Sequence, residues 1–325
     1  MRRLALLLVL GMTACSEPAA NSPADASSGS SDTGSTEGHD AASVADAANA
    51  TGTDAAASAS LDATTLEADA ALPPGSDAGS TPKPDAGAQA IWKPAPQTSW
   101  QWQLTGMIDT SLDVAMYDLD LFETPQATID ALHADGRIVI CYFSAGSYEN
   151  FRPDKADFPA AAIGKAMDGW AGESWLDVSS AGLQPVMKAR LDLAAQKKCD
   201  GVEPDNMDGY LNDTGFTLTA ADQLAYNRFI ATEAHVRGLS VGLKNDIDQL
   251  DDLVGDYDWA LNEECVKYNE CGGYTTSFIA ANKAVFHTEY GAATLADTVC
   301  PKTKPLRFST LIKKLALDAW RVACP

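Results

Sequence analysis

Gly201-Val202-Glu203-Pro204-Asp205-Asn206-Met207-Asp208 is a short apolar run that ends in three carboxylates and an amide. Similar β-branched or apolar runs fall at residues 113–117, 137–143, 175–178, 240–243, 257–261, 284–287 and 306–309. Helix-periodic stretches separate them, among them residues 124–134, 185–198 and 220–237. Pro125 stands near a first helical turn, where its missing N–H costs little. Gly136 and Gly238 follow helices as C-caps. Strands that are nearly all apolar, alternating with helices, predict a parallel sheet covered by helices.

Two parallel α/β architectures compete. A dinucleotide fold wants a Gly-x-Gly-x-x-Gly turn after its first strand, and the sequence has none. Eight strand candidates in one domain of about 230 residues fit a (β/α)8 TIM barrel. The polar residues agree. The runs end in Asp118 and Asp120, Ser144, Asp205 and Asn206, Lys244 and Asn245, Asn262 and Glu263, and Glu289. Barrel enzymes carry their chemistry at the C-terminal ends of the strands.

The domain starts late. Met1-Arg2-Arg3, an apolar run to Met12 and Thr13-Ala14-Cys15 have the parts of a secretory signal peptide. The run is too short to span a bilayer. A Cys at the junction resembles the bacterial lipoprotein box, which makes Cys15 the expected lipidation site and residues 1–15 the leader. An ordinary signal peptide with an incidental Cys is the alternative. Residues 16–96 are Ala, Ser, Asp, Gly, Thr and Pro, a composition that cannot offset its ordering entropy. A disordered tether spanning roughly 50 Å is expected there, with the catalytic domain at residues 97–325. The chain is thus expected to be secreted and anchored in the outer membrane or at the cell surface.

Of the formal net charge of −22 the domain keeps −14, because twelve acids in the tether exceed Lys83 and Lys93 by ten and the leader holds Arg2 and Arg3. A basic nucleic-acid footprint is absent. An acidic domain suits a cationic partner, although acidity also simply aids solubility. Beyond Cys15 there are six cysteines, and an even count in an exported domain reads as disulfides. Cys265 and Cys271 are close enough to staple a loop, and Cys300 with Cys324 could pin the C-terminal tail. Cys141 and Cys199 then remain. The four His are scattered without metal-site spacing, so neither a metal nor an organic cofactor is indicated. A monomer is expected.

Three acid clusters carry the chemistry. In a strand, alternate residues share a face, so Glu203 and Asp205 would enter one site together, with Asp208 nearby. Like charge and partial burial raise some carboxyl pKa values, which gives a fold both an acid and a carboxylate at one pH. A solvated acidic loop or a Ca2+ site is the competing reading. Asn262-Glu263-Glu264-Cys265 is the second cluster; Glu263 keeps phase with Trp259 and Leu261, Glu264 with Asn262, and periodicity alone does not choose between them. The third joins Asp118 and Asp120 to Tyr142, Glu149 and Arg152, where acids and aromatics suit sugar hydroxyls and C–H faces. Trp100, Trp102, Trp170 and Trp175 extend that supply, although any single Trp is more often packing. Glu149 and Arg152 could equally form a surface ion pair. Lys244 and Asn245 end one strand and Glu289 another. Lys244 could orient a carboxylate, or act as a Schiff-base lysine as in barrel aldolases. No Gly-x-Ser-x-Gly elbow appears.

These segments resemble glycoside hydrolase family 114, the endo-α-1,4-polygalactosaminidases. The matching stretches include Trp100-Gln101-Trp102-Gln103-Leu104, Tyr117-Asp118-Leu119-Asp120, Tyr142-Phe143-Ser144-Ala145-Gly146-Ser147, Arg152-Pro153-Asp154, Glu203-Pro204-Asp205-Asn206, Gly242-Leu243-Lys244-Asn245 and Asn262-Glu263-Glu264-Cys265. Their order also fits. The resemblance implies a barrel and hydrolysis of an α-1,4-linked galactosamine polymer, with the family's catalytic acids falling on Asp205 and Glu263. Deacetylated galactosamine units carry ammonium groups, which an acidic cleft attracts. Asp118, Asp120, Glu149 and Asp208 are the expected cleft acids. Asp205 is read as nucleophile or base and Glu263 as general acid. Against this stands a non-catalytic, carbohydrate-binding lipoprotein that has kept the barrel.

Overall fold

The computed structural model describes residues 90–325. The leader, the lipidation site Cys15 and the tether up to residue 89 lie outside the described residues. In chain order the strands are β1 (Trp100–Gln103), β2 (Met116–Asp120), β3 (Ile138–Ser144), β4 (Ser147–Glu149), β5 (Ile163–Ala166), β6 (Glu173–Leu176), β7 (Gly201–Asp205), β8 (Ser240–Lys244), β9 (Trp259–Glu263), β10 (Val285–Tyr290), β11 (Ser309–Lys313) and β12 (Val322–Ala323). The longer helices are α1 (Gln126–Ala134), α2 (Gln184–Gln196) and α3 (Ala220–Val236). Short helices α4 (Leu250–Leu253), α5 (Cys265–Tyr268), α6 (Cys271–Tyr274) and α7 (Ala296–Thr303) follow.

The fold is α/β, built on a curled parallel sheet. Its order is β1-β2-β3-β7-β8-β9-β10-β11, with β12 antiparallel on the last edge. Strand parity sorts the side chains into two layers. Tyr117, Leu119, Val139, Cys141, Phe143, Val202, Val241, Leu243, Ala260 and Val285 point out and pack with helix residues such as Ile129, Met187 and Ile230. Trp100, Trp102, Met116, Ile140, Trp259, Leu261, Phe286 and Leu311 point in and form a second apolar cluster. Gly242 makes room for that filling, because a Cβ there would lie 2.2 Å from the Trp259 ring. The free edges are bridged rather than laddered: Trp100 Nε1 donates to Ser309 O at 2.9 Å, Gln101 Nε2 to Ala319 O at 3.0 Å, and Leu104 N–H to Leu317 O at 3.0 Å.

Local chemistry explains the helix ends. Thr219 and Asp222 close a reciprocal capping box on α3. Gly136 and Gly238 take left-handed φ of 72° and 75° just beyond α1 and α3. A repeated latch ties helix to sheet. His133 contacts Asp200 Oδ2 at 2.9 Å while the same oxygen accepts Val139 N–H, and His235 does likewise with Asp258 and Val241 N–H.

Three departures from the sequence reading matter. Residues 175–178 are not a strand of the main sheet; β6 pairs with β4 and β5 in a separate antiparallel sheet. The main sheet instead begins at β1, which looks half polar because both glutamines are buried and bonded to backbone carbonyls. The tether read to residue 96 also ends sooner: Pro94 is buried, its carbonyl accepts Ala284 N–H at 3.0 Å, and Trp92 packs on the inner cluster. The disulfides are Cys141–Cys199, Cys265–Cys271 and Cys300–Cys324, as the count and spacing predict.

Candidate active site

A cleft of about 430 Å³ opens at the C-terminal ends of the strands. Strand phase decides what enters it. Asp205 ends β7 on the same face as Gly201 and Glu203, and Asn206 then turns the chain with a φ of 62°. Ala145 and Gly146 N–H both donate to Asp205 O. That approach needs glycine, because a Cβ on Gly146 would sit 1.8 Å from Asn206 O. Glu263 ends β9 in phase with Trp259 and Leu261. Glu264 leaves the strand at φ 62° and pairs with Lys267 at 2.8 Å instead. The Cys265–Cys271 bridge closes the loop behind it.

One buried lysine joins the acids. Lys244 Nζ lies 2.9 Å from Glu203 Oε1, 3.0 Å from Asp205 Oδ1 and 3.5 Å from Glu263 Oε2. Those Asp205 and Glu263 oxygens are therefore at most 6.5 Å apart. Burial works to lower the Lys244 pKa, but the charges of Asp205, Glu203 and Glu263 outweigh it and hold the value well above the ordinary one. Lys244 is a permanent cation, which does not suit a Schiff base. Asp205 also accepts from the Tyr142 hydroxyl at 3.0 Å and from Asn206 N–H at 2.7 Å. Glu263 accepts from Asn245 Nδ2 at 3.2 Å and from the Tyr290 hydroxyl. Burial raises both tyrosines well above 10, so both hydroxyls remain donors.

Asp120, Glu149 and Arg152 form a second group on the wall. Arg152 reaches Asp120 at 2.7 Å and Glu149 at 2.8 Å, and all three are buried. This is an internal network rather than a surface pair. Seven carboxylates and two cations line the cleft, so its field is negative. Burial, with the Asp205 charge added, lifts Asp208 to about 6, and burial lifts Glu173 to about 7. Trp170 and Phe151 stand half exposed at the rim, and Leu315, Ala316 and Leu317 form the opposite lip.

The structure thus brings Asp205, Glu263, Asp120, Tyr142, Glu149, Arg152, Asp208, Lys244 and Asn245 to one cleft. Three expected polar residues are placed elsewhere. Asp118 and Glu203 are fully buried beneath the floor and do not line the cleft. Glu289 is one residue out of phase: it points outward, where Oε1 accepts Val266 and Lys267 N–H at the start of α5 and meets His287. Its neighbour Tyr290 takes the inner position. Trp100, expected among the sugar-facing aromatics, is buried in the inner cluster. Glu173 was not legible, because only the antiparallel pairing of Glu149 with Glu173 carries it to the site.

Comparison with known proteins identifies the family. The model of glycoside hydrolase family GH114 matches residues 81–325. The crystal structure of Ega3 from Aspergillus fumigatus in complex with galactosamine is 44% identical, covers 73% of this chain and 98% of its own, and superposes with a TM-score of 0.70. The glycoside hydrolase domain of PelA from Pseudomonas aeruginosa matches at 13% identity over 70% of this chain and 98% of its own, with a TM-score of 0.56; that likeness is one of fold. No curated protein sequence matches. With its family model covering the whole described fold, this chain belongs to glycoside hydrolase family GH114 and is a glycosidase.

Proposed function

We propose that this protein hydrolyses an α-1,4-linked galactosamine polymer, with Asp205 as nucleophile and Glu263 as general acid and base. The observation that carries the reading is the pair of inward carboxylates held by one ammonium, with oxygens no more than 6.5 Å apart. Retaining glycosidases hold their two carboxyl groups about 5–5.5 Å apart, and inverting ones about 6.5–9.5 Å. The bound on these two oxygens is compatible with retention. Glu263 protonates the leaving glycosidic oxygen while an Asp205 oxygen attacks the anomeric carbon. Glu263 then takes a proton from a water whose oxygen bonds to the anomeric carbon as the sugar–Asp205 bond breaks. Asp205 suits the nucleophile because Lys244, Tyr142 and Asn206 N–H fix both its oxygens. Glu263 is the more open of the two, at 28% against 19% exposure, as an acid that exchanges protons with water requires.

The substrate class rests on charge and on likeness. A cleft with seven acids and two cations attracts a chain of ammonium sugars, and the 44% identical Ega3 structure holds galactosamine. We read the curled sheet as a (β/α)8 barrel, supported by the side-chain bridge from Trp100 on β1 to Ser309 on β11. We also read the chain as a monomeric lipoprotein tethered through Cys15 to the outer membrane. The experiment is a reducing-end assay on partly deacetylated polygalactosamine with wild type, Asp205→Asn and Glu263→Gln. Both variants should keep their fold and lose at least about 100-fold in kcat. Full activity in either removes that residue from the mechanism, and polymer binding without new chain ends in the wild type would leave a binding protein.

A further inference from the structure

Beneath the cleft floor, two buried carboxyl groups come together beside one lysine. Asp118 on β2 and Glu203 on β7 are both fully buried on the inner side of the sheet. Read as two carboxylates, neither Asp118 oxygen has a donor, and neither does Glu203 Oε2. The remaining oxygen, Glu203 Oε1, accepts from Lys244. The residues beside Asp118 on the neighbouring strands are Trp102 and Ile140, which carry no charge. The strongest charges acting on it are Glu203 of β7, then Lys244 of β8 and Asp205 of β7, and Tyr142 of β3 stands opposite Glu203 in register.

Asp118 and Glu203 lie within side-chain hydrogen-bonding reach of each other, and because carboxylates only accept hydrogen bonds, the pair needs a proton between them. An unpaired buried charge is expensive, and a group so placed neutralises instead. Burial first, and the Glu203 charge second, drive Asp118 well above the ordinary carboxyl range. Burial also raises Glu203, but Lys244 and the bond from Asp118 pull against it. The proton therefore sits on Asp118, which donates to Glu203.

We propose that Asp118 is a positioning residue for the hydrolysis: as a neutral acid it donates to Glu203, leaves Glu203 one negative charge for Lys244, and through Lys244 fixes Asp205 and Glu263. It touches neither substrate nor reacting atoms. The inference rests on the catalytic reading of Asp205 and Glu263. When the shared proton leaves at high pH, Asp118 and Glu203 become a dianion that competes with Asp205 for Lys244. The alkaline limb of activity is then set by a pair outside the cleft.

Asp118→Asn tests this, because its amide N–H replaces the carboxyl O–H as donor and cannot be lost. Two measurements on the full protein are needed: the infrared carbonyl band of protonated carboxyls at neutral pH without substrate, and kcat against pH. The expected result is loss of one protonated-carboxyl band, near wild-type kcat at pH 6, and an alkaline limb moved up by about one pH unit or more. An unchanged band means that Asp118 is ionised and overturns the proposal, as do superimposable pH profiles. A loss of kcat that is equal at every pH points to packing and also overturns it. Should Asp118→Asn fail to fold, Glu203→Gln must shift or abolish the same band, and an unaffected band is again fatal. The infrared result stands without turnover, so it separates this inference from failure of the catalytic assignment.

Discussion

Asp246 is a buried acid just behind the site, and replacing it by Asn should stabilise the protein as pH rises. It follows Lys244-Asn245 out of β8, is fully buried, and adopts a left-handed φ of 48°. Asn227 Nδ2 donates to its Oδ2 at 2.8 Å, and the Tyr210 hydroxyl lies beside it. Burial, with the Asp208 charge added, raises its pKa from 3.8 to about 8. Between those values the native state binds a proton that the unfolded chain has released. Its contribution to stability is therefore complete below pH 3.8 and is lost as pH climbs toward 8. At 1.36 kcal/mol per unit, wild type gives up about 4 kcal/mol between pH 4 and pH 7 through this one group. Asn keeps an acceptor for Asn227, tolerates the left-handed turn and never ionises. Urea unfolding of both proteins across that range isolates the effect, because the other raised acids slope both curves alike. The variant should match wild type at pH 4 and exceed it by about 4 kcal/mol at pH 7, or roughly 8–16 °C in Tm for a domain of this size. Parallel curves would show that Asp246 is not protonated in the native state, and the argument from burial would fail.

Lys244→Met removes the cation shared by Glu203, Asp205 and Glu263, and should cost about 3–5 kcal/mol of stability along with most of the activity; urea midpoints within about 1 kcal/mol of wild type would deny the lysine this role. Trp170→Ala, at a 48% exposed rim position, should raise KM on polymer with kcat nearly unchanged, and an equal fall in kcat would place the ring in the transition state instead. Opening Cys141–Cys199, which closes 58 residues, should cost about 4 kcal/mol, against about 2 kcal/mol for the six-residue Cys265–Cys271 loop. Calorimetry of the two double-Ser variants checks the order, and a reversal would mean that the short bridge acts through the native site rather than the unfolded chain.

The acids at strand ends were legible because a parallel α/β fold leaves few reasons for a carboxylate directly after an apolar run. Where a run was mixed, the reading slipped. Trp100-Gln101-Trp102-Gln103 alternates as a strand should, yet its glutamines look solvent-facing until the bonds to residues 319, 105 and 107 are seen. Residues 175–178 carry the composition of a strand but not its partner, and composition does not name the sheet that a strand joins. Arg152 looked like half of a surface pair because the wall that buries it comes from β2, β4 and the chain between them. Glu173 and the lip at residues 315–317 are invisible for the same reason: tertiary pairing alone delivers them. Parity is the deeper lesson. Glu263 and Glu264 are identical in type and adjacent, Glu289 and Tyr290 are adjacent acid and phenol, and in each pair one residue of register decides which side chain enters the cleft. The inner face is fixed by where the large apolar side chains must go, and Trp259 and Leu261 fill it. Glu263 is therefore committed to the cleft by the packing below it, before any requirement of catalysis. The same parity puts Glu203 directly beneath Asp205, where burial turns a redundant acid into the support of Lys244.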